Sequence, residues 1–316
     1  MSQQATGLKQ PAAARRATLL KGPQSAEARR RERLGWILVL PSVLVVLIVA
    51  LYPLVRTIIL SLTNARLSST RVTSFVGLSN YTNLLTDPKF LNALGNTLLF
   101  TVASVFFETL LGLIIALVIH SNFKGRGLVR TAMLIPWAIP TVVSAQMWKW
   151  MYHDVFGVIN DLLVTRLGLL NTKIAWLASP TLALPAIVAV DVWKTTPFMA
   201  LLLLAGLQVI PEDIYEAAHV DGATKIQQFW TMTLPLLRPA LLVALIFRTL
   251  DAFRVFDVIF VMKGTAPETA SVAVLARQTM IDLARLGEGG AMAVIIFIIL
   301  ALFVVLYTRL VRVEEG

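Results

Sequence analysis

The chain has 316 residues, of which 57% are hydrophobic and 15% charged, with no cysteine and a formal charge of +10; its mean hydropathy is +0.76. That composition lies outside the range of soluble domains and predicts an all-α integral membrane protein, one helical bundle with repeated apolar spans. It excludes disulfides, thiolate metal sites, iron–sulfur clusters and cysteine nucleophiles, and His120, His153 and His219 lie too far apart for a metal-ligand pattern.

Residues 1–33 form a basic tail, with Arg29, Arg30, Arg31 and Arg33 directly before the first span. Ahead of Arg29 the sequence is rich in Ala, Gln and Ser and is expected to be disordered. Nucleic acid is not expected as a partner, because the basic residues are not interleaved with aromatics on any soluble module. Cytoplasmic anchoring beside anionic lipid is the economical reading. The apolar run that follows is too long for a cleavable signal.

Apolar windows of about twenty residues, enough to cross a bilayer, fall at about 35–57, 96–119, 129–150, 183–207, 239–262 and 291–311. Six crossings are therefore predicted within residues 34–312. They put the basic tail, the 120–130 loop with Lys124, Arg126 and Arg130, the 208–238 loop and the carboxyl tail on one side, cytoplasmic by the positive-inside rule. In the second span, Glu108 is a lone carboxylate, and Gly112 with Ala116 has the spacing of close helix packing. The third span carries Gln146 and Lys149, and Trp148, Trp150 and Tyr152 near its outward end read as an interfacial aromatic belt. After it, Val155 to Leu170 is expected along the outer interface, with Asp154, Asp161 and Arg166 arguing against a seventh crossing.

The fourth span is interrupted by Asp191, Trp193, Lys194, Thr195, Thr196 and Pro197. Rings beside hydroxyl-matching donors and acceptors suit a sugar; the alternative is that Trp193 packs a helix interface while Asp191 pairs with Lys194. Next comes a polar island at residues 208–238, built as two short helices. Pro211 suits a first helical position, Glu212 and Asp213 face the positive end of the helix dipole, and Gly222 supplies a stop. Thr224 with Gln227 reads as a capping box for the second helix, which Leu234-Pro235 is expected to end.

The fifth span holds Arg248, Asp251, Arg254 and Asp257 at intervals of three. Charges in a bilayer face a bundle interior or a wet cavity, so Arg248, Asp251 and Arg254 are the first candidates for a substrate path, with Asp191 and Trp193 next. On an ideal helix the four cannot share one face, which puts Asp257 nearer the outer mouth or a neighbouring helix. Alternatively the opposite signs simply pair at i,i+3. No phosphate loop, H-E-x-x-H helix or G-x-S-x-G elbow is present, so neither ATP hydrolysis nor proteolysis is carried by this chain.

The island resembles the signature of importer-type ABC transporter permeases. The residues that carry the resemblance are Glu216, Ala217, Ala218, Asp221, Gly222, Ala223, Phe229, Leu234, Pro235 and Pro239. The likeness covers roughly residues 30–312, is strongest from about 185 to 265, and looks like the carbohydrate branch, similar to the first permease of maltose or trehalose systems. What it implies is a six-transmembrane-helix permease bundle with a cytoplasmic coupling helix in a bacterial or archaeal cell (inner) membrane, its amino terminus cytoplasmic. Further implied are a second permease subunit, two cytoplasmic ATPase subunits and an extracytoplasmic sugar-binding protein. No cofactor is expected on this chain, since ATP and Mg would be bound by the ATPase partners. Glu216 to Ala223 would couple to an ATPase, and the sugar path would run by Arg248, Asp251, Ala252 and Arg254. The turn Lys263-Gly264-Thr265-Ala266-Pro267 departs from the family pattern. An ion-coupled secondary transporter using Asp251, Asp257 or Glu108 is the competing reading, and a scaffold without transport a third.

Overall fold

The computed structural model describes residues 26–67 and 73–314, so most of the predicted disordered tail lies outside the described residues. Ala26 to Arg33 are helical, however, so the basic residues Arg29 to Arg33 begin the first helix and do not belong to an unstructured tail. The chain divides into two compact units, Met1–Arg56 and Thr57–Gly316. The first contains α1 (Ala26–Val46), a π-helical turn at Leu47–Leu51 and the start of α2 (Tyr52–Ser61).

In the second unit α2 ends and α3 (Ser79–Thr86) leads into the long α4 (Pro88–His120). There follow α5 (Arg126–Met133), α6 (Ile135–Ala138), α7 (Thr141–Met151) and the one-turn α8 (Val158–Asn160). Then come α9 (Ala183–Leu207), α10 (Glu212–Val220), α11 (Lys225–Gln228), α12 (Leu234–Phe253) and α13 (Asp257–Lys263). The chain closes with α14 (Val272–Arg277) and α15 (Leu286–Glu314). Five of these stretches are long and apolar enough to cross a membrane, and the pair Arg126–Ala138 with Thr141–Met151, bent by 89°, makes a sixth.

The boundaries differ from the predicted windows for local reasons. α4 starts eight residues before the apolar window, because the Asp87 side chain accepts from the Lys89 backbone N–H at 2.9 Å with Pro88 in the first turn. This extension is held by protein: Phe90 and Ala93 are buried beside Val272, Ala291 and Met292. The third span is not one helix. Pro140 forces Ile139 into an extended conformation (φ −73°, ψ 133°) and the two halves part there. The fifth span also breaks, over Arg254 to Phe256, between α12 and α13.

α9 is the most buried of the spans and packs along α4 and against α12. At the α4 contact, a Cβ added to Gly112 would lie 2.7 Å from Met199 Cγ and 3.2 Å from the Ala200 backbone N, and Ala116 one turn on is fully buried. The small-residue spacing thus lets two backbones approach without a side chain between them. The predicted aromatic belt divides: Trp150 is exposed, but Tyr152 is buried and Trp148 packs on both Tyr152 (5.6 Å between ring centroids) and Trp193 (5.3 Å). At the same end, Asn92 Nδ2 donates to Pro267 O at 2.6 Å and Asn96 Nδ2 to Ala270 O at 3.1 Å, fastening the turn after α13 to α4. Lys263 lies 2.8 Å from Glu268 and its hydrogen bond holds that carboxyl below the usual carboxylate range.

Gly112→Val is expected to lower the thermal unfolding midpoint of the purified protein, at a cost of about 1–3 kcal/mol from overpacking. Gly95→Val, on the same helix where an added Cβ meets no atom within 4 Å, serves as the control. Equal midpoints for the two variants would show that the Met199 contact does not limit packing.

Candidate functional site

Charge inside the bundle converges on one guanidinium. Arg248, delivered by α12 and 2% exposed, donates from Nε to Glu108 Oε2 and from Nη2 to Glu108 Oε1 at 2.8 Å. Nη2 also donates to Asp191 Oδ2 at 2.5 Å, and Nη1 to Asp251 Oδ2 at 2.6 Å. Three helices, α4, α9 and α12, are therefore tied together by the planar donor fork that only arginine offers. The Thr195 hydroxyl lies 2.6 Å from both Glu108 Oε1 and the Asp191 carbonyl and donates its single proton to one or the other.

Exposure rises across the group, from Glu108 at 0% to the Asp251 side chain at 68%. Glu108 is sealed in protein, while Asp251 faces a cavity of about 250 Å³. Asp191, Lys194, Thr195, Arg248 and Ala252 form one wall of that cavity, and Arg254, Asp257 and Phe256 form another, with Trp137 and Thr141 closing it from the third span. Lys194 is buried yet satisfied: Nζ donates to Ile139 O at 2.9 Å and Trp137 O at 3.3 Å. Those carbonyls are left open by the break in the third span, so a cation from α9 caps it. Irregular backbone at membrane depth is tolerated under that condition.

The structure brings Arg248, Asp251, Ala252, Arg254 and Asp191 to one cavity and leaves Trp193 out of it. Trp193 stands against Trp148 and lines an apolar groove with Leu99, Ala103 and Phe107. Asp191 pairs with Arg248 and not with Lys194. Of the three i,i+3 pairs open to these four residues, Arg248–Asp251 forms, whereas Arg254 Nε donates to the Leu250 carbonyl at 3.0 Å. Asp257 also departs from the ideal-helix expectation. Because α12 ends at Phe253, the chain turns and returns Asp257 to the same cavity. Glu108, a lone carboxylate in an otherwise apolar span, has its partner in Arg248, which no local spacing in the sequence indicates. Among the described residues no group of three or more His, Asp or Glu is placed to hold a metal ion.

The island is built much as its capping signals indicate. Pro211 is the N-cap of α10, one residue before the position expected, and Gly222 leaves the helix at φ +78°, with Ala223 N–H donating to Ala218 O at 2.9 Å. Thr224 and Gln227 form the capping box. Glu216, Ala217, Asp221 and Gly222 are exposed, Ala223 is half-buried, and Ala218 is buried against the bundle. Leu234-Pro235 does not end the second helix. A π-helical turn, Phe229–Thr233, carries the chain into α12, where Pro235 occupies the first turn and needs no N–H partner. Leu234 and Arg248 thus share one helix, about 21 Å apart at 1.5 Å per residue.

Arg248→Met is expected to destabilise the protein by about 3–5 kcal/mol, because it leaves buried carboxylates uncompensated. Arg248→Lys should fall between the two, since one ammonium cannot reproduce the fork. Thermal unfolding in detergent decides it, and an unshifted midpoint for Arg248→Met would remove the guanidinium from its structural role.

Four likenesses bear on the chain. Residues 108–314 match the family described as binding-protein-dependent transport system inner membrane component. The trehalose/maltose transport system permease protein MalF of Thermococcus litoralis is 43% identical over 285 residues, covering 90% of this chain and 95% of that protein. The trehalose transport system permease protein SugA of Mycobacterium tuberculosis is 41% identical over 278 residues, 88% of each chain. Among solved structures, a bacterial ABC transporter involved in the import of the acidic polysaccharide alginate superposes with a TM-score of 0.78 at 25% identity, covering 90% of this chain and 96% of that one. The helical bundle, its broken spans and its capped island are thus those of a transport subunit, and the chain belongs to the binding-protein-dependent inner membrane components, the permeases of ABC importers.

Proposed function

We propose that this permease carries a sugar, of the trehalose or maltose kind, through the cavity at Arg248, by alternating access driven from separate ATPase subunits. The named activity of the two similar permeases supports the sugar. The cavity suits it chemically: Asp251, Arg254, Asp257 and Thr195 supply donors and acceptors for hydroxyl groups, and Trp137 and Phe256 supply apolar faces for the ring. One observation carries the coupling. The island's second helix runs through the π-helical turn into α12 without a break, so a push on the island moves the helix that carries Arg248 and Asp251.

Within this reading the working unit contains a second permease, two ATPase subunits that bind ATP and Mg, and an extracytoplasmic binding protein. The amino terminus and the island face the cytoplasm. α10 seats in a groove of an ATPase through Val220, 86% exposed, and the neighbouring Ile226 and Trp230, while Glu216 and Asp221 flank the contact. A concavity of about 840 Å³ beside it, walled by Glu212, Tyr215, Glu216, Lys225 and Trp230, gives the contact depth.

Val220→Asp places a charge on that contact without touching the core. It is expected to cut ATP-driven uptake of labelled trehalose or maltose by about tenfold or more and to lose the ATPase on co-purification, as for a docking hot spot. Asp251→Asn is expected to lower uptake while the ATPase still co-purifies. Wild-type uptake in both variants, or uptake by this chain alone driven by a proton or sodium gradient in vesicles, would overturn the proposal.

A further inference from the structure

At the end of α9 remote from the island lies a second cavity, of about 290 Å³, between the carboxyl end of α7, the segment before α9 and the end of α13. Tyr152 and Trp176 wall it with rings 5.8 Å apart and inclined by 45°, and Lys149, His153 and Asp154 stand on its lining. We propose that this cavity is an outer subsite for one uncharged sugar ring, occupied before the ring reaches the Arg248 cavity. The assignment rests on the sugar-import reading above.

The walls are held in place by one buried side chain that has no other evident task. Asn160, 0% exposed, donates from Nδ2 to Asp154 O at 3.0 Å and to Ile174 O at 2.8 Å. Its Oδ1 accepts from Ile174 N–H and from Trp176 Nε1, each at 3.1 Å. The loop that carries Asp154 and the loop that carries Trp176 are clasped to each other before any ligand arrives, as a preorganised site requires. Hydrogen-bonding capacity is left over. Lys149 Nζ makes one bond, to Val261 O at 3.1 Å, and two N–H groups remain; Asp154 Oδ1 lies 3.2 Å from His153 Nδ1, which accepts from Val155 N–H, so the carboxylate keeps its acceptors. The Tyr152 hydroxyl has no hydrogen-bond partner among the described residues.

Aromatic faces with donors and acceptors at their edges suit a sugar ring, and one ammonium opposite one carboxylate gives an anion no advantage. The volume sits at the lower bound of ligand pockets, about 300 Å³, which is room for one ring of the sugar. Thr141, on the Arg248 cavity, and Lys149, on this one, are separated along α7 by about 12 Å at 1.5 Å per residue. Between those levels on α7, α9 and α13 stand Ala145, Ile187 and Ile259, all buried in one apolar cluster. The two cavities are therefore successive stations separated by a dry plug.

The native chain is free of cysteine, so a single introduced thiol reports on each station. In the complete complex in lipid nanodiscs, Ala178→Cys marks the outer cavity, Leu177→Cys replaces it if that variant does not assemble, and Thr141→Cys marks the inner one. Maleimide labelling of this chain is timed with and without trehalose, maltose or glucuronate. Trehalose or maltose at about twice its dissociation constant should slow labelling at the outer thiol about threefold, glucuronate should not, and adding Trp176→Leu should abolish the protection. Protection of the Thr141→Cys thiol alone would overturn the outer subsite and leave the import reading standing. Protection at neither thiol by any of these sugars would overturn both.

Discussion

The buried carboxylates at the centre of the bundle depend on the Arg248 guanidinium. A carboxylate on α4 and another on α9 are taken out of water on folding, and in a bilayer there is no solvent to recover them. A single fork answers both and reaches a third carboxylate on its own helix. The arrangement is graded, because Glu108, deepest in protein, has both oxygens hydrogen-bonded while Asp251 keeps open valence toward the cavity. Helix association in lipid lacks the hydrophobic drive available in water, so packing of small residues and buried polar contacts set the relative positions of the spans. Here Gly112 supplies the first and Arg248 the second, both where α4 meets α9.

The polar island was legible because its signals are local. A capping box, a glycine at the helix exit and carboxylates in the first turn act within a few residues, and each is found within one position of where the sequence puts it. The five long apolar helices and the bent pair were legible from hydropathy, because lipid admits few alternatives. Breaks in the spans were not. A window of apolar residues reads the same through Ile139-Pro140 and through Arg254 to Phe256, although in the first case the proline itself was visible. Leu234-Pro235 misled in the opposite sense, since a proline in the first turn of a helix is as natural as one past its end.

The site itself was half legible. Arg248, Asp251 and Arg254 were conspicuous because charge in a span is costly, yet the partner of Arg248 that matters most, Glu108, lies 140 residues away and no spacing rule links them. Trp193 looked like a ring for a sugar to stack on, being adjacent to polar residues in sequence. On a helix, however, a residue two places from Asp191 points about 160° away from it, short of the opposite face but off the cavity, given 3.6 residues per turn. Tyr152 and Trp148 illustrate the converse: composition marks them as interfacial, and packing makes them interior.

Lys194 has two attachments that set limits on how the wall of the Arg248 cavity can change. Its ammonium stands on the cavity wall, and the same ammonium closes the carbonyls at the break in the third span. A change there to suit a different cargo would leave a gap in the membrane-embedded backbone, so the position is doubly constrained. Arg254 and Asp257 bear no such second duty: one bonds only to its own helix through Nε, and the other opens α13 facing the cavity. On the short break between α12 and α13 these side chains can be exchanged without unfastening a span.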